Sequence, residues 1–277
     1  MFEHPATQQN VQTLRARGVF ILGPASGRLA SGQSGPGRML EPLELLGHVR
    51  RILGLKGPLA GRKVVVTAGG TQEPIDPVRV LTNRSSGKQG YALAQAAIDL
   101  GAEIVLISAP TALMPPVGAR LVRVQTAEEM RQAVLQEVQD ADLLLMAAAV
   151  ADFRPRQVAS QKIKKQTGLA SLQLEPTADI LAEVAAQRRR IQRPLLTVGF
   201  AAESQELLEN ATQKLQHKDL DLIAANDITA QDAGFGVDTN RVTLIYRSGR
   251  RETLPLMSKA QVAEAILSRL LDLLKAP

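Results

Sequence analysis

From Lys63 onward the chain alternates short apolar runs with helical patterns, and this alternation limits the fold more than any other feature. "KVVVTAGG" is a continuous apolar run closed by glycines, as in a strand buried on both faces. "KQGYALAQAAIDLG" predicts a helix with Gly101 in the stop position. "AEIVLIS" is the next strand, and "TAEEMRQAVLQEVQ" a helix opened by a capping box of Thr126 and Glu129. "ADLLLMAAAV" is the third strand, and its Ala-rich end implies that something approaches the backbone closely. "TADILAEVAAQ" (helix), "PLLTVGF" (strand), "SQELLENATQKLQHK" (helix) and "DLIAAN" (strand) continue the rhythm. "RVTLIYRSGRRETLPL" predicts a hairpin about Ser248-Gly249, and a last helix starts at Ser258 with Gln261 completing a second capping box. The pattern predicts an α/β fold with a doubly wound, mostly parallel, Rossmann-like sheet and a C-terminal hairpin. Ligands then belong at the carboxyl ends of the strands.

Residues 1–60 follow no such rhythm. "TQQNVQTLRARG" is helical, "VFILG" is strand-like, "GPASGRLASGQSGPGRM" is a Gly/Ser/Pro-rich loop, and "PLELLGHVRRILG" is a short helix. This zone is too small for a core of its own, and "LKGPLAGRK" predicts a linker to a domain over 61–277. One insertion, "ADFRPRQVASQKIKKQTGLASLQLEP", is too long for an ordinary strand-to-helix connection and carries Lys162, Lys164 and Lys165.

Composition narrows the chemistry. No cysteine is present, which excludes disulfides, thiolate metal sites and a cysteine nucleophile in this chain. The net charge of +6 suits anionic small molecules. The basic residues are scattered and aromatics make up 3%, which argues against nucleic acid as the partner. No apolar run is long enough for a membrane helix, and "MFEHPATQQN" lacks the features of a signal peptide, so a cytoplasmic protein is expected.

"TAGGTQEPIDPVR" follows the first strand without matching a dinucleotide or P-loop fingerprint. Gly69 and Gly70 either let a ligand approach the backbone or make a tight turn. "NRSSGKQG" opens a helix: Ser85, Ser86 and Gly87 offer hydroxyls and N–H groups to an anion at the positive end of a helix dipole. The alternative there is a plain serine cap. Asn83 adds an amide suited to a carboxylate or acyl oxygen. Lys214 and Lys218 share a helix face and either clamp a polyphosphate or lie in solvent. Asp152 and Asp179 are the carboxylates best placed for a ribose or a metal, although Asp179 also suits the first turn of a helix. No nucleophile is evident, and positioning with charge neutralisation suffices for nucleotidyl transfer.

The motifs "VVVTAGGTQEPIDPVRVLTNRSSGKQGYALA", "AAAVADFRP", "KIKK", "VGFAAES" and "DLIAANDI" resemble, in order and spacing, bacterial phosphopantothenate–cysteine ligase. That enzyme is the CTP-dependent half of a bifunctional coenzyme A biosynthesis flavoprotein. The resemblance implies that 4′-phosphopantothenate and CTP form an acyl-cytidylate, which cysteine then converts to the amide. It assigns Asn83 to the acyl-cytidylate and Lys162 to a mobile flap that neutralises phosphate charge. CTP would lie along Met146, Ala147, Ala148 and Asp152, the helix start Ala178, Asp179, Ile180 and Leu181, and Phe200, with Lys214 and Lys218 completing its site. Mg²⁺ would accompany the triphosphate, with Asp152 or Asp179 near it. The "KIKK" segment belongs to a dimerisation region in this family, so a homodimer is implied.

Residues 1–60 resemble the C-terminal end of the fused phosphopantothenoylcysteine decarboxylase. Under this resemblance Ser31 stands where that loop carries a proton-donating cysteine, and most of the flavin domain is expected to be absent from this chain. FMN is expected only with a complete decarboxylase domain, which would be either a separate partner or the missing part of a truncated chain. The competing expectation is a catalytically silent nucleotide-binding homologue acting through an oligomeric surface.

Overall fold

The computed structural model describes residues 1–165, 171–190, 195–203, 207–227 and 236–275. They form two compact units, Met1–Leu53 and Gly54–Pro277.

The first unit contains helix α1 (Pro5–Ala16), strands β1 (Ala25–Arg28) and β2 (Ser34–Arg38), and most of helix α2 (Pro42–Gly54). β1 and β2 pair as an antiparallel hairpin. The "VFILG" stretch, predicted as a strand, is irregular, and the hairpin forms instead inside the Gly/Ser-rich stretch predicted as a loop. Apolar content misplaced this strand: Val19 and Phe20 are exposed and gain no burial from pairing.

The second unit is a three-layer α/β fold. Its elements are β3 (Lys63–Ala68), β4 (Gln72–Pro74), β5 (Val80–Thr82), α3 (Lys88–Asp99), β6 (Glu103–Ser108), β7 (Arg120–Arg123) and α4 (Ala127–Glu137). β8 (Leu143–Met146), β9 (Phe153–Pro155), β10 (Leu174–Pro176), α5 (Ile180–Arg188), β11 (Leu196–Glu203), α6 (Leu207–His217) and β12 (Leu222–Asp227) follow. The unit ends with β13 (Thr239–Asn240), β14 (Val242–Tyr246), β15 (Arg251–Thr253), β16 (Met257–Ser258) and α7 (Lys259–Lys275). The start of the helix predicted from Ser204 lies outside the described residues.

The main sheet has the order β15-β14-β12-β11-β8-β3-β6-β7. Its pairs are parallel from β12 to β7, while β14 and β15 are antiparallel and form the predicted hairpin. β7, an edge strand with no long apolar run, is the one main-sheet strand that the sequence pattern does not announce. The side chains of β3 alternate between two cores: Val64 and Val66 face α3 and α7, whereas Val65 faces α4 and α5. Each valine fully withdrawn from water contributes about 1.5–3 kcal/mol. The predicted linker is partly core as well, since Leu59 is buried and its N–H bonds Leu100 O at 2.9 Å.

Both capping boxes form. Thr126 and Glu129 exchange bonds at the start of α4, and Ser258 and Gln261 at the start of α7. No helix among the described residues is long and apolar enough to cross a membrane.

Two local contacts position the functional end. At Gly90 on α3, a Cβ atom would lie 2.6 Å from Ala68 Cβ and 2.7 Å from Thr67 O, so helix and strand meet backbone to backbone. Nearby, the buried carboxylate of Asp76 accepts bonds from Val78 N (2.8 Å), Arg79 N (2.8 Å), Arg79 Nε (3.0 Å) and Ile163 N (3.1 Å). Arg79 Nη2 also donates to Ile163 O at 2.8 Å, so the "KIKK" segment is tied to the loop after β4. The Arg79 guanidinium, aided by the backbone N–H groups and opposed by desolvation, holds the Asp76 carboxyl well below the usual carboxylate range.

Gly90→Ala should cost about 1–3 kcal/mol despite alanine's better helix propensity, because the added methyl has nowhere to go. Urea unfolding measures it, and a gain in stability would refute the contact. Asp76→Asn should destabilise the protein at neutral pH. Because the folded-state pKa of Asp76 is depressed, its stabilisation is present above the unfolded value of about 4 and is lost as pH falls further. Wild-type and Asp76→Asn melting curves should therefore converge in acid.

Candidate active site

The sheet reverses its winding direction between β3 and β8: the chain moves outward from β3 through β6 to β7, then returns to β8 on the other side. Such a switch point leaves a crevice at the carboxyl ends of the strands. A cleft of about 650 Å³ lies there, a volume in the range of small-molecule sites. Its walls come from the start of α3, the segment after β8, the start of α5, the end of β11 and one face of α6.

The α3 wall contains Asn83, Ser85, Ser86 and Gly87. The helix cap is Gly87 itself, with φ of 76°, and no side chain caps the helix. The plain serine cap is therefore not the role of either serine. Ser85 Oγ accepts weakly from Gly87 N at 3.4 Å, and Ser86 O accepts from Thr111 Oγ1 at 3.1 Å. The first N–H groups of α3 have no partner within the helix and carry its positive dipole end.

Gly69 and Gly70 do not line the cleft. A Cβ on Gly69 would meet Ala109 O at 2.9 Å, and one on Gly70 would meet Asn83 O at 2.9 Å. The close backbone approach expected at these glycines is thus made by the chain itself, which seats the Asn83 loop.

The Ala-rich end of β8 forms the floor through Met146, Ala147, Ala148 and Asp152. Two buried threonines shape it: Thr67 Oγ1 accepts from Ala148 N (3.0 Å) and Thr71 Oγ1 from Ala151 N (2.9 Å). Asn83 Nδ2 donates to Val150 O at 3.1 Å and fixes the amide over this floor. Ala178, Asp179, Ile180 and Leu181 line the next wall together with Phe200, Lys214 and Lys218.

Asp179 has two tasks already. Its carboxylate caps α5 by accepting from Ala182 N (3.1 Å), and it pairs with Lys218 Nζ at 3.2 Å. Among the described residues no three His, Cys, Asp or Glu side chains gather as metal ligands. With Asp179 so occupied, Asp152 is the carboxylate left to approach a cation. This fits Mg²⁺, which is held mostly by phosphate oxygens and water in such sites, and does not fit an all-protein metal cage.

Besides Gly69 and Gly70, two more predicted residues do not line the cleft. Lys162 is exposed beside the Asp76 anchor and does not line the cleft, and the chain just after "KIKK" lies outside the described residues. Ser31 is exposed in the turn between β1 and β2.

The cleft also contains residues that the sequence did not single out: Lys88, Gln89, Asn226, Asn240 and Lys259. One signal was present. Val262, Ala263 and Ile266 define the buried stripe of α7, and Lys259 falls on that same stripe by helical spacing.

Comparison with known proteins places the chain. Residues 59–274 match the model of the DNA/pantothenate metabolism flavoprotein C-terminal domain. The coenzyme A biosynthesis bifunctional protein CoaBC of Bacillus subtilis is 44% identical over 278 residues, covering 99% of this chain and 68% of that protein. Its Vibrio cholerae counterpart is 46% identical over 269 residues, covering 96% and 66%. The chain thus spans about two thirds of the length of these relatives. The crystal structure of a CoaBC C-terminal domain superposes with a TM-score of 0.67 at 40% identity, covering 79% of this chain and 98% of that one. The chain belongs to the DNA/pantothenate metabolism flavoprotein C-terminal domain family.

Proposed function

We propose that the unit from Gly54 onward is a phosphopantothenate–cysteine ligase that uses CTP. The observation carrying this reading is the single cleft that joins Asn83, the α3 cradle, the β8 floor and the lysines of α6, in a chain with CoaBC relatives.

The chemistry needs no nucleophile from the protein. A carboxylate oxygen of 4′-phosphopantothenate attacks the α-phosphorus of CTP, and the bond to the bridging oxygen of pyrophosphate breaks. The neutral amine of cysteine then attacks the acyl carbon, the bond from that carbon to the oxygen bridging it to phosphorus breaks, CMP leaves with that oxygen, and the amine loses a proton. Asn83, whose amide donates to Val150 O, would hold the acyl oxygen where charge develops. Phe200 and the α5 start receive the nucleoside, while Lys214 and Lys218 neutralise phosphate charge. The Lys218–Asp179 pair is partly exposed and worth about 0–1 kcal/mol, so an incoming phosphate displaces the carboxylate at little cost. Mg²⁺ would arrive with the triphosphate and screen its charge near Asp152.

Lys162 belongs to this reading only if the segment bearing it leaves its anchor on Asp76 or reaches a neighbouring chain, so a homodimer with shared sites is part of the proposal. Ser31 is a far weaker acid than a thiol, so no decarboxylation is expected from this chain, and FMN would require a complete decarboxylase domain. A catalytically silent nucleotide-binding homologue is the alternative, favoured by the position of Lys162 outside the cleft.

The test supplies CTP, 4′-phosphopantothenate and cysteine and follows pyrophosphate release. Turnover is expected, with Asn83→Ala reducing it by about 10²–10³-fold through loss of an oxyanion partner. Lys162→Ala should lower turnover without weakening CTP binding. Lys218→Ala should weaken CTP binding about tenfold, read by calorimetry. CTP binding without any turnover in folded protein would support the silent homologue instead.

A further inference from the structure

Three amide oxygens that line the cleft are buried and have no hydrogen-bond partner among the described residues: Gln89 Oε1, Asn226 Oδ1 and Asn240 Oδ1. They come from three elements far apart in the chain. Gln89 is the second residue of α3, Asn226 lies one residue from the end of β12, and Asn240 closes β13. Pairing and packing bring them to one end of the cleft. Asn226 stands opposite Val242, two residues beyond Asn240, and β13 pairs with β16 directly ahead of α7. Gln89 Nε2 in turn donates to Lys259 O, at the start of α7, at 3.2 Å.

Buried polar atoms without partners are uncommon in folded proteins, because each loses its bonds to water and gains none in return. Asn240 is only 3% exposed. The bond from Gln89 Nε2 to Lys259 O orients that amide and leaves its oxygen as an acceptor.

Acceptors call for a ligand that donates, and an anion has no N–H to offer. A metal cation would use the same oxygens, but Lys88 and Lys259 line this end of the cleft and their charge opposes one. A primary amine meets both conditions, since it supplies N–H donors and can bind uncharged. The carboxylates that line the cleft among the described residues, Asp152 and Asp179, belong to the segment after β8 and the cap of α5. A carboxylate against an amine would favour the ammonium form, which has no lone pair for attack, whereas neutral amide oxygens exert no such charge effect.

We propose that Gln89, Asn226 and Asn240 form the docking site of the attacking amine, which the ligase reading, on which this choice rests, identifies as that of cysteine. Asn83 stands on the same wall as Gln89, so the segment that opens α3 receives both the acyl group and its nucleophile. The three amides bind and orient the amine and take no proton from it.

The test separates the two half-reactions in the full chain. Pyrophosphate release from CTP and 4′-phosphopantothenate is followed without an amine, and consumption of the acyl-cytidylate is then followed with cysteine or with hydroxylamine. Asn240→Ala and Asn226→Ala should each raise the KM for cysteine about fivefold, the loss of one neutral hydrogen bond, with the KM for CTP unchanged. Hydroxylamine, too small to span the site, should consume the intermediate at the wild-type rate. An unchanged KM for cysteine in the folded variants overturns the proposal and leaves water as the partner of the three oxygens. An equal loss with hydroxylamine also overturns it, since the defect would then lie in the acyl group. If Asn240→Ala does not fold, Asn226→Ala decides alone. Cysteine binding is also read without turnover, by broadening of its proton resonances, with 3-mercaptopropionate as the control that lacks the amine. A chain that releases no pyrophosphate thus refutes the ligase reading, while broadening of cysteine alone that is lost in both variants keeps the amine site, and its absence removes the site as well.

Discussion

At Gly90 the backbone of α3 lies so close to the end of β3 that a methyl group would sit 2.6 Å from the Ala68 side chain. That contact fixes the height of the helix start above the sheet. The left-handed turn at Gly87, the orientation of the first free N–H groups of α3 and the seat of the Asn83 loop against Gly70 all follow from it. Thr67 and Thr71 then draw the Ala-rich strand end against the same loop, so one short segment after β3 shapes both the cradle and the floor.

The electrostatics of the cleft build on this frame. Cations stand at two places, on one face of α6 and at the joined starts of α3 and α7. Lys218 pairs with Asp179 and Lys88 with Asp238, carboxylates that are 47% and 85% exposed, so these two pairs contribute little in water. The contrast with Asp76 is instructive. Its carboxylate is buried and fully occupied by Arg79 and three backbone N–H groups, and it anchors the chain rather than meeting a ligand.

Much of the fold was legible because the long strands are buried on both faces and the helices have written caps. Thr126–Glu129 and Ser258–Gln261 marked helix starts by local chemistry alone. The failures share a cause. "VFILG" is apolar but unpaired, β7 pairs at an edge without an apolar signature, and Leu59 in the predicted linker is core. In each case a partner distant in sequence decides the state of the residue. The site divides the same way. Asn83, the cradle, the β8 floor and the two α6 lysines were visible as local patterns, whereas Asn240 and Lys259 reach the cleft only through the antiparallel return of the chain after β12.

The sequence by itself determined the α/β layering, the parallel strands and the helix start that offers N–H groups to an anion. Apolar periodicity, glycine placement and capping are local properties that depend on few distant contacts. Only the tertiary structure decided which residues share the cleft. It set Gly69 and Gly70 against the chain rather than a ligand, tied "KIKK" to Asp76 outside the cleft, and brought Lys259 beside Lys88. Those placements depend on strand order and helix packing, which bring together residues about 170 positions apart, as Gln89 and Lys259 are.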